Sequence, residues 1–262
     1  MRKDKKGKGG VNERQIVDET GHVDRRQFLR NAAIAAAVAA GGAALPEHVM
    51  ATVVGKNLAE NGKKTGKRLG MLIDLRKCIG CKACHVACKS ENHVSLGVFR
   101  SWVKVVDKGE FPDVSRHFVP RLCMHCDKPP CEKNCPTGAT YKDESGAVLV
   151  QYDKCIGCGM CVSSCPYRAR YMDPEKETAD KCTFCMHKVA RGELPACVDA
   201  CRYGARVFGD LNDPNSEISK IISKNSVQRL GSEHGTEPKV YYIGLDEFAA
   251  HAVVTDSTKT GK

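Results

Sequence analysis

Residues 155–166 read CIGCGMCVSSCP, one of four four-cysteine groups in the chain. The spacing is C-x2-C-x2-C-x3-C-P. Cysteines two residues apart in one loop let three thiolates, Cys155, Cys158 and Cys161, converge on three corners of one [4Fe–4S] cube. Cys165 follows after three residues, at or on a short helix, and points to a second cluster. Thiolate is a soft ligand that suits iron and sulfide. Gly157 and Gly159 permit the partly left-handed backbone of such a loop, and Pro166 turns the chain away from the first cube.

All sixteen cysteines of the 262-residue chain fall into four groups of four. The first is Cys78, Cys81, Cys84 and Cys88. The second is Cys123, Cys126, Cys131 and Cys135, with DKPP in its middle gap. The third is Cys155, Cys158, Cys161 and Cys165. The fourth is Cys182, Cys185, Cys197 and Cys201, with an eleven-residue middle gap. Every group ends C-x3-C and no cysteine is left over, so the thiolates suffice for four [4Fe–4S] clusters. A disulfide scaffold does not repeat this spacing and is usually far smaller. Zinc ribbons use C-x2-C pairs, but not three cysteines at x2-x2 spacing with C-P endings.

Apolar residues make up 42% of the chain and aromatics only 6%, a thin supply for a large core. Clusters would staple the fold in its place. The net charge of +10 falls to +7 over residues 52–262, which hold 32 Lys/Arg and 25 Asp/Glu. Four clusters with thiolate ligands are net negative and bring the loaded chain toward neutrality. With no basic–aromatic interleaving, charge gives no case for nucleic acid.

Residues 1–51 read as a twin-arginine signal peptide. Arg25-Arg26 precede Phe28-Leu29 and the Ala-rich, uncharged stretch 31–45, which is too short for a stable membrane span. The cut is expected after Ala51. Clusters are assembled before export, and this route carries folded cargo to the periplasm. Residues 52–69 read as a polar linker, and residues 70–208 as the cluster domain. Residues 71–75 predict a short buried strand, and 148–150 another after a turn at Gly146. Residues 89–122 predict a hairpin in which Trp102 packs rather than relays electrons. His85, His93, His117, His125 and His187 lie near cysteine groups, and with every site filled by cysteine they read as supporting or surface residues. In residues 209–262, Asp213 or Ser216 caps a helix carrying Ile218, Ile221 and Ile222, and a strand follows at 239–243. This segment is expected to dock a partner or close over the clusters. No stretch after residue 51 has the length of a transmembrane helix.

From Leu69 to about Asp246 the chain resembles the four-cluster, ferredoxin-like electron-transfer subunits of the dimethyl sulfoxide reductase family of molybdenum enzymes. The resemblance rests on the order of the cysteine groups, on ADKCTFC at 179–185, LPAC at 194–197 and GDLNDPNS at 209–216. MLIDLRKCIGC, PRLCMHCDKPPC and EPKVYYIGLDE are most similar to the subunits serving tetrathionate and other sulfur-oxyanion reductases. The resemblance implies a large molybdopterin catalytic subunit and a quinol-oxidising membrane subunit, with this chain as the electron carrier between them. No nucleophile–base constellation or phosphate loop is present, so the chain reads as non-catalytic. Cys158 stands where some relatives carry Trp, so four [4Fe–4S] clusters are implied. Two other classes stay open: a subunit of a different quinone-linked redox complex without molybdenum, told apart by its co-purifying subunits, and a structural metal protein, told apart by colour that bleaches with dithionite.

Four groups allow several cluster pairings. The second and third groups end C-P, at Pro136 and Pro166, and the first and fourth do not. This difference suggests first with fourth and second with third, and the resemblance implies the same nesting. The fold class is therefore α+β and loop-rich: two nested ferredoxin-like modules in a pseudo-two-fold relation, with a C-terminal helix–strand extension. The outer module spans 70–122 with 179–208, the inner 123–178. The expected ligand sets are Cys78, Cys81, Cys84 with Cys201; Cys182, Cys185, Cys197 with Cys88; Cys123, Cys126, Cys131 with Cys165; and Cys155, Cys158, Cys161 with Cys135. By resemblance the first set lies nearest the molybdenum subunit and the last nearest the quinol site.

Overall fold

The computed structural model describes residues 66–255; the expected signal peptide and most of the expected linker lie outside them. The first strand, β1 (Leu69–Asp74), is buried at every position, as its apolar run predicts for a strand covered on both faces. It is the middle strand of a three-stranded sheet. β8 (Arg206–Asp210) pairs with it antiparallel, and β9 (Val240–Ile243) pairs parallel on the other side. The expected boundary at 208/209 falls inside β8. The C-terminal segment is thus built into the same sheet as the strand that leads to the first cysteine group.

The predicted hairpin is β2 (Ser101–Lys108) with β3 (Ser115–Leu122), in register from Ser101–Leu122 to Lys108–Ser115. Trp102 is buried in the core, with the Arg121 guanidinium 5.3 Å from its ring. Two short ribbons complete the strands: β4 (Thr140–Lys142) with β5 (Val148–Val150), and β6 (Tyr171–Met172) with β7 (Ala179–Asp180).

The helices near the cysteines are α1 (Ala83–Glu91), α2 (Pro130–Lys133), α3 (Met160–Ser163), α4 (Met186–Val189) and α5 (Ala196–Asp199). Four of these have only four residues, too few to hold helical form alone. The DKPP gap explains α2, since Pro130 stands in its first turn, where its missing N–H costs nothing. The third cysteine of each group lies on a helix: Cys84 on α1, Cys131 on α2, Cys161 on α3 and Cys197 on α5. After three of these helices the chain turns in the same way. The N–H groups of Gly138, Arg168 and Gly204 donate to the carbonyls of Cys135, Cys165 and Cys201, and all three donors have positive φ.

Helix α6 (Glu217–Lys224) begins as expected, with Ser216 accepting from the Ser219 N–H at 3.3 Å. Asp213 instead closes its own turn by accepting from the Asn215 N–H. Ile218 is fully buried against Leu72 and Ile243. The last helix, α7 (Glu247–Thr255), packs on the hairpin. The architecture is a mixed helix–strand fold of small sheets. Among the described residues, no helix is long and apolar enough to cross a membrane.

Candidate iron–sulfur sites

The four cysteine loops share one backbone feature. The residue before the second cysteine has positive φ in every group: Gly80 at 72°, His125 at 43°, Gly157 at 69° and Phe184 at 54°. In the two CIGC loops glycine is required for space as well. A Cβ on Gly80 would sit 2.3 Å from the Phe118 ring, and one on Gly157 would sit 2.6 Å from the Glu177 carbonyl oxygen. In the other two loops the strained positions support each other, because His125 and Phe184 stack with ring centroids 3.6 Å apart.

The structure gathers the cysteines as follows. Cys78, Cys81, Cys84 and Cys201 line one cavity. Cys123, Cys126, Cys131 and Cys165 line another. These are two of the four expected sets, each completed by a cysteine from a distant group. In a further set, Cys88 lies within electrostatic reach of Cys197 and Cys185, and Cys182 within reach of Cys88 and Cys197. The Asn92 side-chain N–H group stands 3.8 Å from the Cys88 sulfur and 3.6 Å from that of Cys185. Of the remaining four, Cys155 and Cys161 share a small core cluster with Val148 and Ala179, and Cys135 arrives on the chain leaving α2, which packs on α3.

These sets form a row. Cys84 of the first set reaches Cys197 of the second. Cys182 of the second reaches Cys123 of the third. Cys131 of the third is buried beside Cys161 of the fourth. All four cysteines of the second set are buried, and so are three of the third. The end sets each have an exposed member, Cys81 and Cys158.

A cubic iron–sulfur cluster fits this donor set. Among the described residues no His/Cys/Asp/Glu group is close enough to hold a single metal ion. Two of the sets line cavities instead, as ligands of a larger inorganic core do. The thiols also need cationic partners. Burial, reinforced by neighbouring sulfurs, pushes Cys88 and Cys126 up to about 12, and burial pushes Cys131 up to about 11. Bound iron supplies the positive charge that makes such thiolates stable. Cys135 runs the other way. Burial alone would raise it, but the Thr140 N–H, the Thr137 hydroxyl and N–H, and the Ala139 N–H bring it down to about 7.

His125 is wholly buried, and its Nδ1 accepts from the Val148 N–H at 3.1 Å. Burial, with the nearby Lys181, Lys239 and Arg170 cations, holds it well below the usual imidazole range and so neutral. His85 sits edge-on to Phe99 at 4.4 Å, and His187 pairs with Glu91 at 2.8 Å. Three buried cations, Arg170, Lys181 and Arg206, are not foreseen from the sequence. A signal for two of them exists. CPYRAR at 165–170 and CRYGAR at 201–206 repeat C-x-Y-x-A-R after the third and fourth groups.

Comparison with known proteins points to the same class of cofactor. Residues 77–139 and residues 114–211 each match a 4Fe-4S dicluster domain. The chain is 47% identical over 184 residues to the B subunit of tetrathionate reductase from Salmonella typhimurium, covering 69% of this chain and 74% of that one. It is 45% identical over 222 residues to Protein NrfC of Escherichia coli, covering 84% and 94%. It is 42% identical over 180 residues to the B component of polysulfide reductase from Wolinella succinogenes, covering 68% and 94%. With paired 4Fe-4S dicluster domains and this level of identity, the chain belongs to the family of non-catalytic iron–sulfur electron-transfer subunits that includes those of tetrathionate reductase and polysulfide reductase.

Proposed function

We propose that this chain carries four [4Fe–4S] clusters and conducts electrons from a quinol-oxidising membrane subunit to a molybdopterin catalytic subunit, with tetrathionate or another sulfur oxyanion as the terminal acceptor. The ligand sets are those headed by Cys78, Cys182, Cys123 and Cys155 and completed by Cys201, Cys88, Cys165 and Cys135, in two nested modules with a pseudo-two-fold relation. Clusters bound there supply one-electron chemistry. The observation that carries the reading is the row of cysteine sets, buried in the middle and exposed at both ends. Each end also presents apolar side chains: Ile79 and Tyr203 beside the first set, Ile156 and Met160 beside the fourth. Such residues suit docking faces through which electrons enter and leave. The nested pairing is supported by the cavities that join Cys201 to the first group and Cys165 to the second.

The same reading sends the chain to the periplasm by the twin-arginine route, on the strength of Arg25-Arg26 ahead of residues 31–45. There it is peripheral on the membrane through its partner. Anaerobic purification tests the proposal. The expected result is about sixteen iron and sixteen sulfide per chain, since each four-thiolate site takes one cube, together with a molybdopterin protein in the same complex. Zinc, or about twelve iron at full occupancy, overturns the cluster reading, since one cube of four iron would then be missing. The match to Protein NrfC covers more of both chains than that to the tetrathionate reductase subunit, so the large partner decides the substrate. A multihaem cytochrome in its place favours a quinone-linked complex without molybdenum.

A further inference from the structure

Three cations are buried among the sulfurs, and they are spaced along the row. Arg206 lines the cavity of Cys78, Cys81, Cys84 and Cys201, and its charge reaches Cys197 of the neighbouring set. Arg170 lines the cavity of Cys123, Cys126, Cys131 and Cys165, and its charge reaches Cys161 of the neighbouring set. Lys181 holds the carbonyl of Val148, which lines the third set's cavity, and the carbonyl of Cys182 in the second set at 2.8 Å. Cys123 and Cys131 on one side and Cys182 on the other lie within its electrostatic reach. One cation therefore stands at each of the three junctions in the row.

The two arginines occupy equivalent places. Each is five residues after the last cysteine of its group, in the repeated C-x-Y-x-A-R. Each follows the same tight turn, through Arg168 or Gly204. Each lines the cavity that its group's fourth cysteine completes, and the charge of each reaches the third cysteine of its own group.

Folding alone does not account for such charges. Arg170, Lys181 and Arg206 are 1%, 0% and 3% exposed. Arg100 shows how a buried cation is ordinarily held here, paired with Asp180 at 2.8 Å. Among the described residues Lys181 and Arg206 have no carboxylate partner; the opposing charges around them are chiefly cysteine sulfurs. Arg206 Nε has no hydrogen-bond partner. A buried charge without a counter-charge is strongly destabilising, so the counter-charge here is that of the loaded sites. In a low-dielectric interior such a charge acts strongly and is little screened by salt.

We propose that Arg206, Lys181 and Arg170 are charge bridges, one between each successive pair of cluster sites, that raise the reduction potentials of the two clusters they separate. This rests on the four-cluster reading of the proposed function. A cation favours whichever neighbour has gained an electron, because the reduced form is the more negative. Placed between two sites, it serves both and offsets the repulsion between them. The row is thereby kept reducible along its buried middle, where no solvent stabilises added charge.

The test is an anaerobic redox titration of the full, iron-loaded chain, followed by electron paramagnetic resonance, with iron and sulfide content measured alongside. Arg170→Gln is expected to lower the potentials of the third and fourth clusters, Arg206→Gln those of the first and second, and Lys181→Gln those of the second and third. The expected size is at least tenfold in the one-electron equilibrium, about 59 mV. The remaining two clusters keep their potentials in each variant. Arg170→Lys and Arg206→Lys keep the charge and restore potentials toward wild type. If a Gln variant loads poorly, selective loss of the two adjoining clusters supports the proposal, and uniform loss of all four overturns it. Fully loaded variants with unmoved potentials, or with all four moved equally, also overturn it. Wild-type protein without four [4Fe–4S] signals instead refutes the underlying function.

Discussion

Arg100 donates from Nε to Asp180 Oδ2 at 2.8 Å, and both side chains are buried. The pair fastens the entrance of the hairpin to β7, eighty residues on. Asp180 also accepts from the hydroxyls of Tyr152 and Tyr171, at 2.7 and 2.6 Å. Arg100 reaches Asn92 Oδ1 at 2.8 Å, and the Asn92 amide faces the Cys88 and Cys185 sulfurs. The network thus runs from a buried ion pair to the second cysteine set.

Asp180→Asn leaves the Arg100 charge uncompensated, at a cost of about 3–5 kcal/mol. The expected outcome is a lower thermal midpoint and early loss of iron from the site of Cys88, Cys182, Cys185 and Cys197. The effect depends on pH. Burial pushes the Asp180 carboxyl up, but the Arg100 charge and the Arg100, Tyr171 and Tyr152 hydrogen bonds hold it below the usual carboxylate range. Its contribution is present above the unfolded carboxylate value and lost as pH falls through the lower folded one. The gap between wild type and variant should therefore narrow toward acid and stay constant from about pH 6 upward, well above the unfolded carboxylate range. Midpoints measured across that range check it.

Cys158→Ser alters the exposed end of the row. Serine is a harder, poorer ligand for iron than thiolate, so the fourth site is expected to hold [3Fe–4S]. Quinol-driven turnover should be lost, and activity with an artificial reductant that feeds the catalytic subunit directly should survive. Spectra that instead change at the site of Cys78, or untouched quinol-driven activity, would refute the order of the row.

Lysine at both Arg25 and Arg26 is expected to leave the protein in the cytoplasm. Fractionation reads this directly. Normal periplasmic yield of mature protein would overturn the export route, unless a partner's signal carries the complex, which deletion of that signal reveals.

Ile218→Ala tests the C-terminal segment. Ile218 is 0% exposed and packs on Leu72 in β1. Loss of a fully buried isoleucine side chain costs about 2–5 kcal/mol. The variant should lose thermal stability while keeping its partner. A chain ending after Gly209 also loses β9, the parallel partner of β1, and is expected to lose iron. Full iron content and complex assembly in that truncation would rule out both a closing and a docking role.

The cysteine spacing alone determined the cofactor class. Ligands two or three residues apart must share one loop, and the loop's geometry is a local property that sixteen cysteines repeat. Strand β1, the turn at Gly146, the Ser216 cap and the β9 strand were legible for the same reason, since each rests on neighbours in sequence. The tertiary structure decided what depends on distant partners. It brought Cys201 to the first group and Cys165 to the second, where the C-P endings gave only a pattern. It set His125 on Phe184, paired β1 with β9, and placed Arg170, Lys181 and Arg206 between sulfurs. In sequence Lys181 looks like any other lysine in a basic chain, and the repeated C-x-Y-x-A-R marks Arg170 and Arg206 without saying what they face. Only burial, which removes water and leaves the sulfurs as their opposing charge, sets them apart.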